Sequence, residues 1–361
     1  MNSTELFTWI KTEGRITGAD LTGQDLSGVD LTEIIIEDAQ LGRMNLAGAK
    51  LICSTLIRVD LTGADLTGAD LTGARLDKVE LRGARLERAA LAEADLLNCS
   101  LAGADLTGAD LSHTVAEHTD FSSAKCVGAS FVDASFHKCR LGAMDLTEAD
   151  FTRVLASNND YSGVVFSKTN LTKAFLAESG LANQRFPDCI LLLTRFDRSN
   201  LREADFSGLD LTQTGFAGAD VTAALFAGAR GKYTLFMAAT ALGADFSATD
   251  FSAANFSKAK LKGANFRDAR IEKSLFTEAL LEKCIFIRAE APYTDFSRSV
   301  VTDADFSQAA LPYANFHGVR RREAIWSKAD TATIFVTDPD LWAAETWAVP
   351  ERRKKRRSVN E

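Results

Sequence analysis

GADLTGADLTGAR, from Gly63 to Arg75, repeats one five-residue phrase, and GADFSATDFSAANFSKAKLKGANF, from Gly243 to Phe266, carries the same phrase with Phe in place of most Leu. Working outward in that register, every fifth residue from Ile16 to Trp326 gives 63 positions, of which 57 are Leu, Ile, Val, Phe, Tyr, Trp or Cys. The exceptions are Ala116, Ala156, Gly231, Ala241, Ala291 and Arg321, and no insertion breaks the phase. The residue two before each centre is usually small, as at Ala64, Ala69, Ala104 and Ala264. The residue just before is often Asp or Asn, and the residue after is often Thr or Ser.

An amphipathic helix would space its apolar residues near 3.6, and a half-buried strand at 2.0. A period of five fits neither. It implies a chain that turns a corner every five residues, with the centre and the small residue pointing in and the other three pointing out. Gly, Asp, Asn, Ser and Thr at the outward positions suit repeated turns. Of 23 Phe, 20 fall on centres. From Phe186 to Phe316 every tenth residue is Phe, while the interleaved centres are aliphatic or small apart from Phe251. If four pentapeptides make a coil, ten residues are half a coil. Phe then lines two opposite faces, smaller residues line the other two, and the interior fills to constant density. Residues 20 apart then stack, as in the series Phe206, Phe226, Phe246, Phe266, Phe286, Phe306 and Trp326.

The A(D/N)LXX phrase, repeated over about 310 of the 361 residues, resembles the pentapeptide-repeat family. That resemblance implies an all-β fold, a right-handed quadrilateral parallel β-helix. At about 4.8 Å per coil, sixteen coils make a rod of roughly 75 Å. Short helical caps are expected at both ends. Asn2 and Glu5 read as an N-cap pair opening a helix that ends near Gly14. Asp338-Pro339 opens a second helix with Leu341, Trp342 and Trp347, stopped by Pro350. The chain divides into an N-terminal helical cap (1–15), the repeat (16–330), a C-terminal cap with a short helix (331–350) and a disordered basic tail (351–361).

Net charge is −8. The tail from Glu351 carries six basic and two acidic side chains, so the remainder of the chain stands at −12. An acidic rod repels phosphate, which argues against direct nucleic-acid binding along its length. Residues Met1 to Lys11 show no basic n-region and no apolar run of signal-peptide length, and no stretch reaches the roughly 20 apolar residues of a membrane span. A cytoplasmic location follows as the expectation, with secretion that needs no N-terminal signal left open.

Cys99, Cys139, Cys189 and Cys284 sit at the small inward position, Cys126 at a centre, and Cys53 outward; core filling explains the first five. His113, His118, His137 and His317 fall at outward positions and read as solvated, without the converging ligands a metal needs. The Asp series (Asp60, Asp65, Asp70, Asp105, Asp110, Asp205, Asp210, Asp220, Asp245, Asp250) reads as turn acceptors rather than paired catalytic carboxylates, because a catalytic pair would be a local exception. No catalytic residue, cofactor or metal site is assigned, and the expectation is not an enzyme.

Departures from the repeat mark candidate partner surfaces: Ser112 to Thr119 with His113 and His118; Ser157 to Leu193, with Asn159, Gln184 and Cys189 at inward positions; and Arg230, Lys232 and Tyr233 around Gly231. The C-terminal Leu341, Trp342 and Trp347 form a further candidate, including for a homodimer through that end. The basic tail (Arg352, Arg353, Lys354, Lys355, Arg356, Arg357) offers a docking point to an acidic protein, a membrane surface or nucleic acid, with a solvated solubilising tail, in a sorting or tethering role, as the alternative. The leading function is a protein–protein interaction scaffold, an accessory or effector protein of a bacterial secretion system by likeness to long uninterrupted members of the family. The alternative is a DNA-mimic modulator of a type II topoisomerase (DNA gyrase), which other members resemble. Contiguous acidic stripes would favour the alternative, and interspersed Arg and Lys would weaken it. Arg75, Lys78, Arg82, Arg85 and Arg88 already interrupt one end.

Overall fold

A computed structural model describes residues 12–347. Each pentapeptide forms one side of a square coil, and the residue before nearly every centre pairs in parallel with the one 20 further on, from Arg15↔Ile35 to Asn315↔Phe335. The span makes about sixteen coils at 20 residues each. On the first face, with centres Ile16, Ile36, Leu56 and onward, the pairing is long enough to form seven strands. These are β1 (Arg15–Thr17), β2 (Ile35–Glu37), β3 (Thr55–Ile57), β4 (Arg75–Asp77), β5 (Asp95–Leu97), β6 (Val115–Glu117) and β7 (Ser135–His137), in sequential order. The fold is a pentapeptide-repeat solenoid, a right-handed quadrilateral β-helix.

The corner explains the period. The N–H three residues after a centre donates to that centre's carbonyl, as from Ala64 to Leu61 at 3.0 Å and Ala69 to Leu66 at 2.9 Å. The residue two after the centre has positive φ, 53° at Arg43 and 57° at Gln213, so a corner closed by that bond is a type II turn. The aspartate before the centre closes the corner from outside. Every Asp of the series named above accepts the N–H two residues on, at 2.8–3.2 Å. On the first face the turn bond is missing in the early coils, which leaves the backbone extended and creates β1–β7. It appears from Phe196, whose carbonyl accepts from Ser199 at 3.1 Å.

The interior is the two-large, two-small arrangement the alternation implies. Phe206, Phe226 and Phe246 stack on the third face at 5.1 and 4.8 Å, and the column ends on Trp326, 4.5 Å from Phe306. Phe216, Phe236 and Phe256 stack on the opposite first face at 4.9 and 4.7 Å. The two columns meet edge-to-face, with Phe226 and Phe236 5.4 Å apart at 88°. Each such pair adds about 0.5–1.5 kcal/mol beyond its burial. Many polar residues at the inward position make one recurring bond, to the carbonyl 23 residues back: Thr114 to Leu91 at 3.0 Å, Thr214 to Leu191 at 2.8 Å, Thr294 to Ile271 at 2.7 Å; Ser54 and Ser299 leave their hydroxyls without a partner.

The expected C-terminal helix is present as α1 (Pro339–Thr346), with Asp338 as N-cap accepting from the N–H groups of Asp340 and Leu341. Trp347 is its C-cap. The helix lies along the outside of the last coils, because Thr337 Oγ accepts from the Gly318 N–H and so turns the chain along the first face. The final centres Arg321 and Val336 are exposed. The N-terminal helix expected through Ile10 and the basic tail lie outside the described residues. No helix among the described residues is long and apolar enough to cross a membrane.

Candidate interaction surfaces

The ladder is interrupted between Arg140 and Asp160 and, more widely, along one seam. In a regular coil Phe226, Gly228 and Gly231 donate to Asp245, Ser247 and Asp250 at 2.7–2.9 Å, and Asp250 donates back to Ala229 at 3.0 Å. Forty residues earlier the equivalent bonds are all absent: Phe186 to Asp205, Asp188 to Ser207, Leu191 to Asp210, and Asp210 to Cys189. The bridges Val165–Arg185 and Ile190–Asp210 are missing as well. The cause lies at the inward corner. There Ala gives way to Val164, Gln184, Cys189 and Leu209, whose extra volume holds neighbouring coils apart. Gln184 is buried and donates from its amide to the Tyr161 carbonyl at 2.7 Å; Cys189 bonds the Phe166 carbonyl. Leu209 is only half-buried.

A groove of about 570 Å³ opens over this seam, lined by Arg185, Pro187, Asp188, Asp205, Ser207 and Leu209. Beside it Ile190 and Leu192 are 53% and 39% exposed on the fourth face. The Ser157 to Leu193 segment was legible as irregular, and Asn159, Gln184 and Cys189 are indeed buried. Leu209 was missed, although its size at an inward position is a readable signal.

The other candidates are dispersed. His113 and His118 lie on adjacent faces. His118 stands 3.7 Å from Glu117 and edge-on to His137 of the next coil at 6.4 Å. Among the described residues no group of three or more His, Cys, Asp or Glu is placed to hold a metal ion. Arg230, Lys232 and Tyr233 are exposed around Gly231. Tyr293 and Tyr313, in the same outward column as Tyr233, stack at 5.1 Å with Lys273 Nζ 6.0 Å from the Tyr293 ring; a spacing of 20 could have revealed them.

At the C-terminal end Leu341, Trp342 and Trp347 are 49%, 37% and 69% exposed. His317 corrects the expectation of a solvated side chain. It is only 9% exposed, because α1 folds over it, with Trp342 edge-on at 5.8 Å and Glu345 Oε2 3.2 Å from its Nε2. The Arg298 guanidinium beside Glu345 holds that carboxyl below its usual range.

Acidic columns are interrupted by bases one coil away: Arg58 on Asp38 at 2.6 Å, Arg85 on Asp65 at 3.0 Å, Lys125 on Asp105 at 3.2 Å, Lys168 on Glu148 at 3.0 Å and Arg288 on Asp268 at 2.6 Å. The buried thiols are pushed upward by desolvation, Cys99 to about 12 and Cys139 and Cys189 to about 11.

The profile for pentapeptide repeats matches in eight copies, over residues 15–51, 39–77, 80–115, 117–153, 189–228, 238–277 and 264–303. Among solved structures, the chain is similar to HetL, a pentapeptide repeat protein involved in heterocyst differentiation regulation from the cyanobacterium Nostoc. Identity there is 23% over 79% of this chain and 96% of that one, with a TM-score of 0.22. It is similar to QnrB1, a plasmid-mediated fluoroquinolone resistance protein, at 21% identity over 60% of this chain and 89% of that one, TM-score 0.23. A pentapeptide repeat protein from the Arabidopsis thaliana thylakoid lumen shares 31% identity over 29% of this chain and 66% of its own, TM-score 0.20. No curated protein matches the chain in sequence. With the family profile covering well over half its length on one unbroken register, the chain belongs to the pentapeptide-repeat family.

Proposed function

We propose that the chain is a non-enzymatic scaffold that binds protein partners on its outer faces, in the setting of an accessory or effector protein of a bacterial secretion system. The observation that supports it is the seam, where Ile190, Leu192 and Pro187 stand exposed beside a groove that opens over the missing ladder bonds. A solid interior of stacked rings backs the seam with a rigid frame, which limits the entropy cost of binding there. The alternation of acid and base down the columns works against the DNA-mimic reading, which needs uninterrupted negative charge.

Affinity capture from the producing cell's lysate, comparing the wild-type chain with Ile190→Asp/Leu192→Asp by quantitative mass spectrometry, tests the reading. Partners retained by the wild type and depleted about tenfold with the variant support it. An identical set on both chains contradicts it, and recovery of topoisomerase subunits would favour the alternative.

A further inference from the structure

α1 is held to the rod chiefly through one carboxylate. Glu345 Oε2 accepts from Arg298 Nη2 at 2.8 Å and faces His317 Nε2 at 3.2 Å. His317 Nδ1 accepts the Asp338 N–H at 3.4 Å, so the ring proton sits on Nε2 and points at Glu345. Trp342 lies over Gly318, where a Cβ would come within 2.4 Å of its Cζ3. Beyond these contacts the helix is loosely seated. None of its residues is buried, and open grooves of about 700 and 450 Å³ flank it.

We infer that Arg298 and His317 form a carboxylate-binding site, that Glu345 is its occupant within the chain, and that an acidic peptide segment of a partner displaces it. The inference is independent of the seam. A buried imidazole N–H left without an acceptor is costly, so the site demands one. The planar Arg298 fork suits carboxylate and phosphate alike, and the Glu345 carboxylate already seated on it points to the first. The larger groove gives room for the residues flanking the incoming carboxylate, with Thr277, Ser297 and Asn315 for polar contacts and Phe335 and Leu341 for apolar ones. Because Glu345 is tethered, it competes at an effective concentration near the millimolar range, and external ligand binds only the fraction of molecules in which the site is vacated.

The probe is acetylated tetraglutamate amide, titrated into the full chain carrying 5-fluorotryptophan. The Trp342 resonance, assigned with Trp342→Phe, is followed by fluorine NMR. Glu345→Gln is expected to bind the peptide about tenfold more tightly than wild type, and Arg298→Ala/Glu345→Gln at least tenfold more weakly than Glu345→Gln. Arg298→Lys/Glu345→Gln keeps the charge without the fork and is expected between them. Equal affinity of wild type and Glu345→Gln overturns the inference. So does undiminished binding by Arg298→Ala/Glu345→Gln, or an equal response to tetralysine.

Discussion

Phe251 fills the space that Gly231 leaves in the preceding coil. A Cβ on Gly231 would lie 2.5 Å from Phe251 Cε1 and 2.3 Å from Thr234 Oγ1. The Phe251 ring reaches Phe236 at 5.6 Å and Phe226 at 6.2 Å, both in the coil that contains Gly231. The empty centre and the one aromatic out of pattern are therefore a single packing solution. Gly231→Ala is expected to destabilise by about 1–3 kcal/mol through overpacking, and Phe251→Leu by a similar amount through a cavity. The double variant should recover part of the loss, a coupling of about 0.5–3 kcal/mol. Guanidinium midpoints of the four chains measure it; strictly additive losses would contradict the complementarity.

The aspartate before each centre carries the corner. Asp70 accepts both the Thr72 N–H at 3.0 Å and its hydroxyl at 2.6 Å. Asp70→Ala is expected to cost about 1 kcal/mol, as loss of a helix N-cap does, and Asp70→Asn less, since it keeps the acceptor. Thermal unfolding of the two variants distinguishes them.

The same bonds set the response to acid. Hydrogen bonds from Thr22 lower the Asp20 carboxyl and those from Ser27 lower Asp25. At Asp65 and Asp105 burial pushes upward, but bonds from Thr67 and Thr107 and the nearby Arg85 and Lys125 outweigh it. A carboxyl depressed on folding contributes stability that is present above its unfolded value, about 4, and is lost as pH falls through the folded one. Denaturation midpoints should be level from pH 7 to about 5 and fall steeply below about 4. A midpoint that rises on acidification would contradict the assignment.

Positive φ at the outward corner is strained for residues with a Cβ. Ala223 is exposed at φ 56°. Ala223→Gly should raise stability by about 1 kcal/mol, read as a higher melting temperature. A fall would mean that the corner is not left-handed in solution.

Thiol chemistry separates inside from outside. Cys53 is exposed and the other five cysteines are buried. Iodoacetamide at pH 8 under native conditions should label Cys53 alone by mass spectrometry. Labelling of Cys189 as well would mean that the seam opens to reagent.

Much of this was legible in the chain. The unbroken register fixes the solenoid, the ten-residue Phe spacing fixes which faces carry the rings, and Asp before each centre announces the corner acceptor. The remainder depends on contacts between coils. The burial of His317 follows from where the chain turns after Thr337, 20 residues away. The seam follows from several inward side chains acting together. Gln184 and Cys189 were recognisable, but Leu209, which sits across the gap from them, takes its meaning only once coils are stacked. The partnership of Gly231 and Phe251 was visible as two separate exceptions, and only the coil period joins them.

Hydrogen exchange across the seam tests the account most directly. Phe186, Asp188, Leu191 and Asp210 lack the ladder bonds that Phe226, Gly228, Gly231 and Asp250 make forty residues on. In native-state exchange followed by mass spectrometry, peptides over 185–191 and 205–210 should exchange at least about tenfold faster than those over 225–231 and 245–250. Equal protection in the two regions would contradict the seam, and with it the surface on which partner binding is placed.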